Sequence, residues 1–328
     1  MDSKIESVMK KIKAPITVVL LIAFLYIIAQ MSLNNEIIFP EVAALSIGVW
    51  YIKNSPWEGN LLNLWLSPSL AAITGVGVLH FIHYSQVILI ACAFILVLLQ
   101  LYLLNSNILP SISAAILPIL LNADSLYYPI SVCILSGIIA GGRWCFNRFL
   151  IDDHSVSLIP YEGKHTRWGL IEIMFWLKIF AGVILVATIA LQSKWIYVIS
   201  PPLIVVFIEF AKSSGKAAHR PGRLFWLVFV AAFSGALGVE VIHILLHWPL
   251  WIAAACIVIW IFFLFHQFQF VFPPAAAISL LPTIIHQQML LLYPLQVAVG
   301  TIIFITIGKI IISSTQSSKS CTGAGDLL

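Results

Sequence analysis

From Ala14 to Leu33 the chain runs without a single charged side chain, and uncharged apolar stretches of this kind recur almost to its end. A helix needs about 20 such residues to cross the hydrocarbon core of a bilayer. In lipid the backbone must satisfy its own hydrogen bonds, which a helix does within one segment. Composition agrees: 61% of the 328 residues are apolar and 9% are charged, where soluble domains run about 45–50% apolar and about 25% charged. A soluble globule of this size has too little interior to hide that surface. The sequence predicts an all-α polytopic membrane protein and argues against a cytosolic enzyme.

The polar minority is short on chemistry. Five cysteines (Cys92, Cys133, Cys145, Cys256, Cys321) form no C-x-x-C pair, so neither a disulfide framework nor a zinc site is indicated. There is no P-loop, no G-x-G-x-x-G and no H-E-x-x-H. No cofactor and no nucleic-acid partner are expected. Met1–Lys13 carries four lysines ahead of the first apolar run. That run exceeds a signal-peptide core of about 7–15 residues and reads as an uncleaved first span.

An internal repeat emerges at an offset of 162 to 165 residues. Pro40 matches Pro202, and Gly75-Val-Gly-Val-Leu-His80 matches Gly238-Val-Glu-Val-Ile-His243. Pro110 and Pro118 match Pro274 and Pro282, with the same eight-residue step, and Pro129 matches Pro294. Each copy reads as six apolar segments, at 14–33, 37–53, 61–82, 85–104, 108–122 and 126–142, then 178–194, 195–211, 224–246, 249–268, 270–286 and 290–312. The expected organisation is a transmembrane repeat over 1–142, a cytoplasmic linker over 143–167, a second repeat over 168–312 and a polar tail over 313–328.

Twelve crossings put Lys53, the 143–167 stretch, the Lys212–Arg223 cluster, Lys309 and Lys319 on one side. The positive-inside rule makes that side the cytoplasm, with both termini there, in what reads as a bacterial plasma (inner) membrane. Six crossings per copy give both repeats one orientation and a pseudo-twofold axis along the membrane normal.

The second and fifth segments of each copy are short and open at proline. A helix that starts inside the membrane leaves N–H groups and partial positive charge facing the interior. Matched pairs of such segments mark a central transport site, whereas plain kinks would leave only packing. The expected substrate-binding residues are therefore Pro40, Pro110, Ser111, Ser113, Ser200, Pro202, Pro274 and Ser279. Each charge within an apolar segment also needs an account. Glu240 precedes His243 and His247 by three and seven residues, a spacing that puts them on one helical face. Glu240 and His243, with the repeat-matched His80, are the expected proton-coupling groups. Glu41, next to Pro40, reads as a helix cap, and Glu209 as an edge ion pair with Lys212.

Pro201-Pro202, the Lys212–Gly222 loop with its Arg-Pro-Gly-Arg, the small residues of 231–238 and Phe272-Pro-Pro-Ala-Ala-Ala277 together resemble the HPP integral-membrane family. That family is named for a His-Pro-Pro motif followed by small residues and includes nitrite transporters. Phe272 stands where the family has its histidine, and the first copy reads Leu109-Pro110-Ser111. The resemblance implies two fused units carrying a small anion. The loop and small-residue pattern is also similar to aromatic-acid-exporter-like domains, which handle anions too. The expected function is thus a transporter or channel, not an enzyme, for a small anionic solute such as nitrite or a carboxylate, with membrane lipids and, in a homo-oligomer, further copies of itself as its partners. The contrasting readings are a lipid-modifying membrane enzyme using Glu240 and His243, and a structural subunit.

Overall fold

The computed structural model describes residues 2–52, 57, 60–150, 169–212 and 217–322. Among these the secondary structure is helical throughout. Eight helices are long and apolar enough to cross a membrane. They are α1 (Asp2–Met31), α3 (Leu61–Phe81), α4 (Gln86–Leu103), α6 (Tyr127–Leu150), α7 (Leu170–Gln192), α9 (Pro221–Gly238), α10 (Leu250–Gln267) and α12 (Tyr293–Thr322). Four are short: α2 (Glu41–Ser46), α5 (Pro110–Leu121), α8 (Pro201–Ala211) and α11 (Pro274–Leu280). Wider π-helical turns continue α2 over Ile47–Tyr51 and α9 over Val239–Leu245.

Proline sets the starts of the short helices. α5, α8 and α11 begin on a proline and α2 directly after Pro40. A proline in the first turn has no N–H to lose and its φ already suits the helix. Several helix ends are marked by backbone handedness. Leu33, Asn105, Asn122, Lys194, His247 and Gln269 all adopt positive φ just past a helix terminus. A left-handed residue there turns the chain and satisfies terminal carbonyls.

The long helices turn apolar side chains outward. Ile16, Leu20, Phe24 and Ile28 form an exposed stripe on α1, and Ile130, Ile134 and Ile138 another on α6. Four-residue spacing lines up one helical face. Water would penalise such stripes, whereas lipid tails are as apolar as the side chains themselves. The short helices are the reverse. Every residue of α2 and α11 is buried, as is all of α5 except its last residue and all of α8 except half-buried Glu209. This is an α-helical membrane protein with its broken helices at the centre.

Those four helices close on themselves. α2 packs on α5, α5 on α8, α8 on α11, and α11 back on α2, so that α5 and α11 stand across the ring from each other. Long helices wrap them in matching fashion: α3 lies against α5 and α6, and α9 against α11 and α12. α1 crosses over to α10, and α4 to α7, tying one half of the chain to the other.

Two glycines make the wrap tight. A Cβ on Gly75 would come within 2.2 Å of the Ala115 carbonyl oxygen, and one on Gly235 within 2.1 Å of that of Ser279. Only glycine lets two backbones approach so closely. The partner of Gly75 by packing is therefore Gly235, not Gly238, whose Cβ would meet Ile257 on α10. Sequence similarity aligned the wrong turn of α9, because what matters is which glycine faces the short helix. Counted from Gly75 and Gly235, His80 corresponds to Glu240 rather than to His243.

Several helices also outrun the expected segments. α6 continues past 142 to Leu150, α7 begins at Leu170 and α12 runs past 312 to Thr322. Helical hydrogen bonding continues where the apolar run stops. Lys53, residues 151–167 of the expected linker, Lys216 and the last residues of the tail lie outside the described residues.

Candidate functional site: the ring of short helices

The expected binding residues all fall in the ring. Pro40, Pro110, Pro202 and Pro274 are buried at the helix starts. Ser111, Ser113, Ser200 and Ser279 are each fully buried. Their hydroxyls differ in what they do. Ser279 donates to Ala276 O of its own helix at 2.8 Å, and Ser113 donates to a carboxylate oxygen of Glu41. Ser111 Oγ, in the first turn of α5, and Ser200 Oγ, at the N-cap of α8, have no hydrogen-bond partner. A buried hydroxyl left unpaired costs about 1–3 kcal/mol. Two of them at the starts of two packed short helices call for an explanation.

Glu41 stands at a helix start, as expected, at the first position of α2 with its carboxylate on its own amide. What the sequence did not show is its enclosure: it is 1% exposed and lies inside the ring. One carboxylate oxygen takes the Ser113 hydroxyl; its own amide N–H is the other polar contact, and Oε2 has no partner. Among the described residues no basic side chain pairs with it. A signal was available, since Glu41 is the sole charge between Glu36 and Lys53. Capping explained it locally; only the packing of α5 and α11 against α2 shows it to be enclosed.

Three tyrosines surround this carboxyl group, each within its electrostatic range: Tyr26, Tyr128 and Tyr293. All are buried and each hydroxyl is bonded. Tyr128 donates to Ala114 O at 2.8 Å, and Tyr293 to Ile278 O at 2.7 Å. Tyr26 meets Thr283 Oγ1 at 2.7 Å, and since Thr283 itself donates to Leu280 O, Tyr26 is the donor. The tyrosines thereby satisfy polar groups along α5, α11 and the turn after α11, holding the ring to the long helices. Edge-on ring contacts, Phe39 with Tyr128 and Tyr197 with Tyr293, close the packing.

Two cavities open at the end of the bundle where α5 finishes. One, of about 440 Å³, is lined by Tyr26, Gln30, His243, Thr283 and Gln287 among others. The second, of about 400 Å³, is lined by Glu36, Gln86, Asn122, Tyr128, Tyr197 and His286 among others. Asn35, Ile38 and Ile285 belong to both. Tyr26 lines the first cavity and Tyr128 the second; Glu41 lines neither.

Aromatic rings pack around the far ends of α2 and α8. Trp57, fully buried, lies against Gly48 so closely that a Cβ there would come within 2.2 Å of its ring. Trp50 covers Gly142 and donates to Ile139 O at 3.1 Å, while Phe210 covers Gly308. Beside them the Trp57 indole faces Glu209, whose Oε1 is buried without a partner, and Lys212 Nζ sits 5.9 Å from the Trp176 ring; no salt bridge of the expected edge kind joins Glu209 to Lys212.

The expected proton-coupling groups are elsewhere. His80 is exposed near the end of α3, and Glu240 and His243 are half-buried in the π-helical turn of α9. His243 Nδ1 pairs with Trp248 O at 2.8 Å. The wider π turn shifts the residues that share a face, and His247 lies beyond the helix with positive φ, so the single face expected for all three does not form. Among the described residues no cluster of His, Cys, Asp and Glu is arranged to hold a metal ion.

Set against protein-family models, curated proteins and solved structures, the chain matches none. Its function is therefore argued from this geometry.

Proposed function

We propose that the protein is a membrane transporter or channel for a small anion, of the nitrite or carboxylate kind, with its site in the ring of α2, α5, α8 and α11. The observation that carries this reading is the pair of buried, unpartnered hydroxyls, Ser111 and Ser200, in the first turns of α5 and α8. A buried hydroxyl with no partner of its own has a proton to offer an anion, and the positive end of a short helix favours one. Similar packing of the two halves supports a duplicated architecture of twelve crossings, in the manner of the HPP family, with the axis along the membrane normal. The basic residues support a cytoplasmic position for the end where α2 and α8 finish and for both termini. The two cavities at the other end suit an approach for the solute from outside.

The test is uptake into proteoliposomes of nitrite and of a small carboxylate such as benzoate. Wild-type vesicles are expected to take up at least one of them. Ser111→Ala and Ser200→Ala are each expected to raise KM while the protein stays folded. Absence of uptake for every small anion offered would end this reading. One observation favours a second reading: a buried carboxylate without a countercharge suits a cation. Uptake of a monovalent cation in the same vesicles, lost in Glu41→Ala, would select it.

A further inference from the structure

Glu41 presents a problem that the anion reading does not solve. An ionised carboxylate in the ring would repel the solute that Ser111 and Ser200 are placed to receive. At about 4 Å two like charges repel by about 4 kcal/mol even at an effective dielectric constant near 20. Enclosure of the carboxyl group is nearly complete, its Oε2 has no partner, and no described cation offsets it.

We propose that Glu41 carries the proton that travels with the anion: protonated at Oε2 it admits the solute to the ring and donates a hydrogen bond to it, and deprotonated it excludes the solute. This assignment rests on the anion reading above and moves the coupling site from Glu240 and His243 to the ring. The bookkeeping is simple. A proton from the open side binds Oε2, no covalent bond breaks, and the same proton leaves to the other side once the solute has gone.

The surroundings fit the task. Ser113 holds Oε1, leaving Oε2 as the free position. The neighbouring elements bring few other ionisable groups. From α1 there is Tyr26, from α6 Tyr128, and from the start of α12 Tyr293, all with their hydroxyl protons already given to other acceptors. The segments Pro110–Leu121 and Pro274–Thr283 contain none. The other described ionisable side chains on these elements are Lys13 on α1, Tyr51 after α2, Tyr127, Cys133, Arg143 and Cys145 on α6, and Lys309 on α12, none of which bonds Glu41. Tyr26 lines one cavity and Tyr128 the other, and both tyrosines lie within electrostatic range of the carboxyl group. Glu240 lacks this setting: it stands half-buried in the π turn, outside the ring.

Two measurements test it. In proteoliposomes holding a pH-sensitive dye, the transported anion is expected to carry protons inward, and Glu41→Gln to lose that proton entry and the pH dependence of uptake while anion exchange persists. Glu240→Gln is expected to leave both unchanged. Anion uptake that brings no protons, or proton entry that survives Glu41→Gln, would overturn the proposal. If no anion moves in wild-type vesicles, the transporter reading fails instead, and the two failures are distinct. Should Glu41→Gln not fold, the wild-type protein answers by dicyclohexylcarbodiimide labelling, which marks protonated carboxyl groups in apolar surroundings. Mass spectrometry is expected to find the label on Glu41, and less of it as pH is raised over the range in which the protein stays folded. No label on Glu41 anywhere in that range, or protection by sodium instead of by raised pH, would overturn it.

Discussion

The two short-helix pairs, α2 with α5 and α8 with α11, are built alike and furnished differently. Both open on prolines, both are buried, and each has a glycine of the adjacent long helix pressed on its second member, Gly75 on α5 and Gly235 on α11. Each is also pinned by one tyrosine hydroxyl, Tyr128 on Ala114 O and Tyr293 on Ile278 O. The polar groups are not shared. Counting from the first proline, α5 has Ser111 and Ser113 where α11 has Ala275 and Ala277, and Glu41 follows Pro40 where Leu203 follows Pro202. Buried polar groups cost stability unless paired. The matched positions therefore separate the pairs: the first keeps a carboxyl group and two hydroxyls where the second has Leu203, Ala275 and Ala277, while the second keeps Glu209 near the end of α8, Ser279 in α11 and an unpartnered Ser200 at the N-cap of α8.

The largest test of that comparison strikes what the two pairs have in common. Gly75→Val and Gly235→Val each drive a side chain into a carbonyl about 2 Å away. Overpacking costs about 1–3 kcal/mol and more where backbone blocks relaxation. Both variants are expected to lose the monodisperse peak on size exclusion in detergent, to similar extents. If one is tolerated, the two halves are not packed alike.

A smaller effect separates the pairs. Ser113→Ala removes the only side-chain donor to Glu41, and losing a hydrogen bond to a buried polar group costs about 1–3 kcal/mol. It is expected to lower the melting temperature and to alter the pH profile of uptake. In the second pair Ala277→Ser is expected to leave that profile as it is. A shifted profile in the second variant would mean that the polar asymmetry carries no function.

Tyr128→Phe and Tyr293→Phe come next, each removing one hydroxyl–carbonyl bond, at about 1 kcal/mol. Their melting temperatures are expected to fall by similar amounts; a much larger loss for Tyr128 would point to a role at Glu41 beyond packing. The smallest effect belongs to the rim. His80→Ala and His243→Ala, outside the ring, are expected to change neither melting nor the pH response of uptake, and a changed pH response would return the coupling role to them.

Much of this was legible in the chain. Apolar runs gave the number and placement of the helices, since the length of a bilayer-crossing helix is set by the membrane. The prolines marked the four short helices and pointed to their serines. Three things were not legible. Gly238 was preferred to Gly235 because both lie in a stretch of small residues, and facing direction depends on the neighbour. Glu41 read as a cap and no more, because its local sequence, a carboxylate after proline, is what a cap looks like. Glu240 and His243 read as a coupled pair on the spacing of an α-helix, and the π turn changed that spacing.

By itself the sequence determined that the protein is helical and lies in a membrane, where its helices begin, and which residues are polar in an apolar chain. Those properties follow from solvent transfer and backbone geometry, which act segment by segment. Tertiary structure alone decided that the four short helices close into a ring, that Tyr26 of α1 reaches Thr283 after α11, and that Glu41 is enclosed with one oxygen unpartnered. Enclosure depends on what arrives from distant parts of the chain: Ser113 comes from 72 residues away and Thr283 meets Tyr26 across 257. No local pattern encodes those meetings, because each is fixed by how the surfaces of several helices fit together at once.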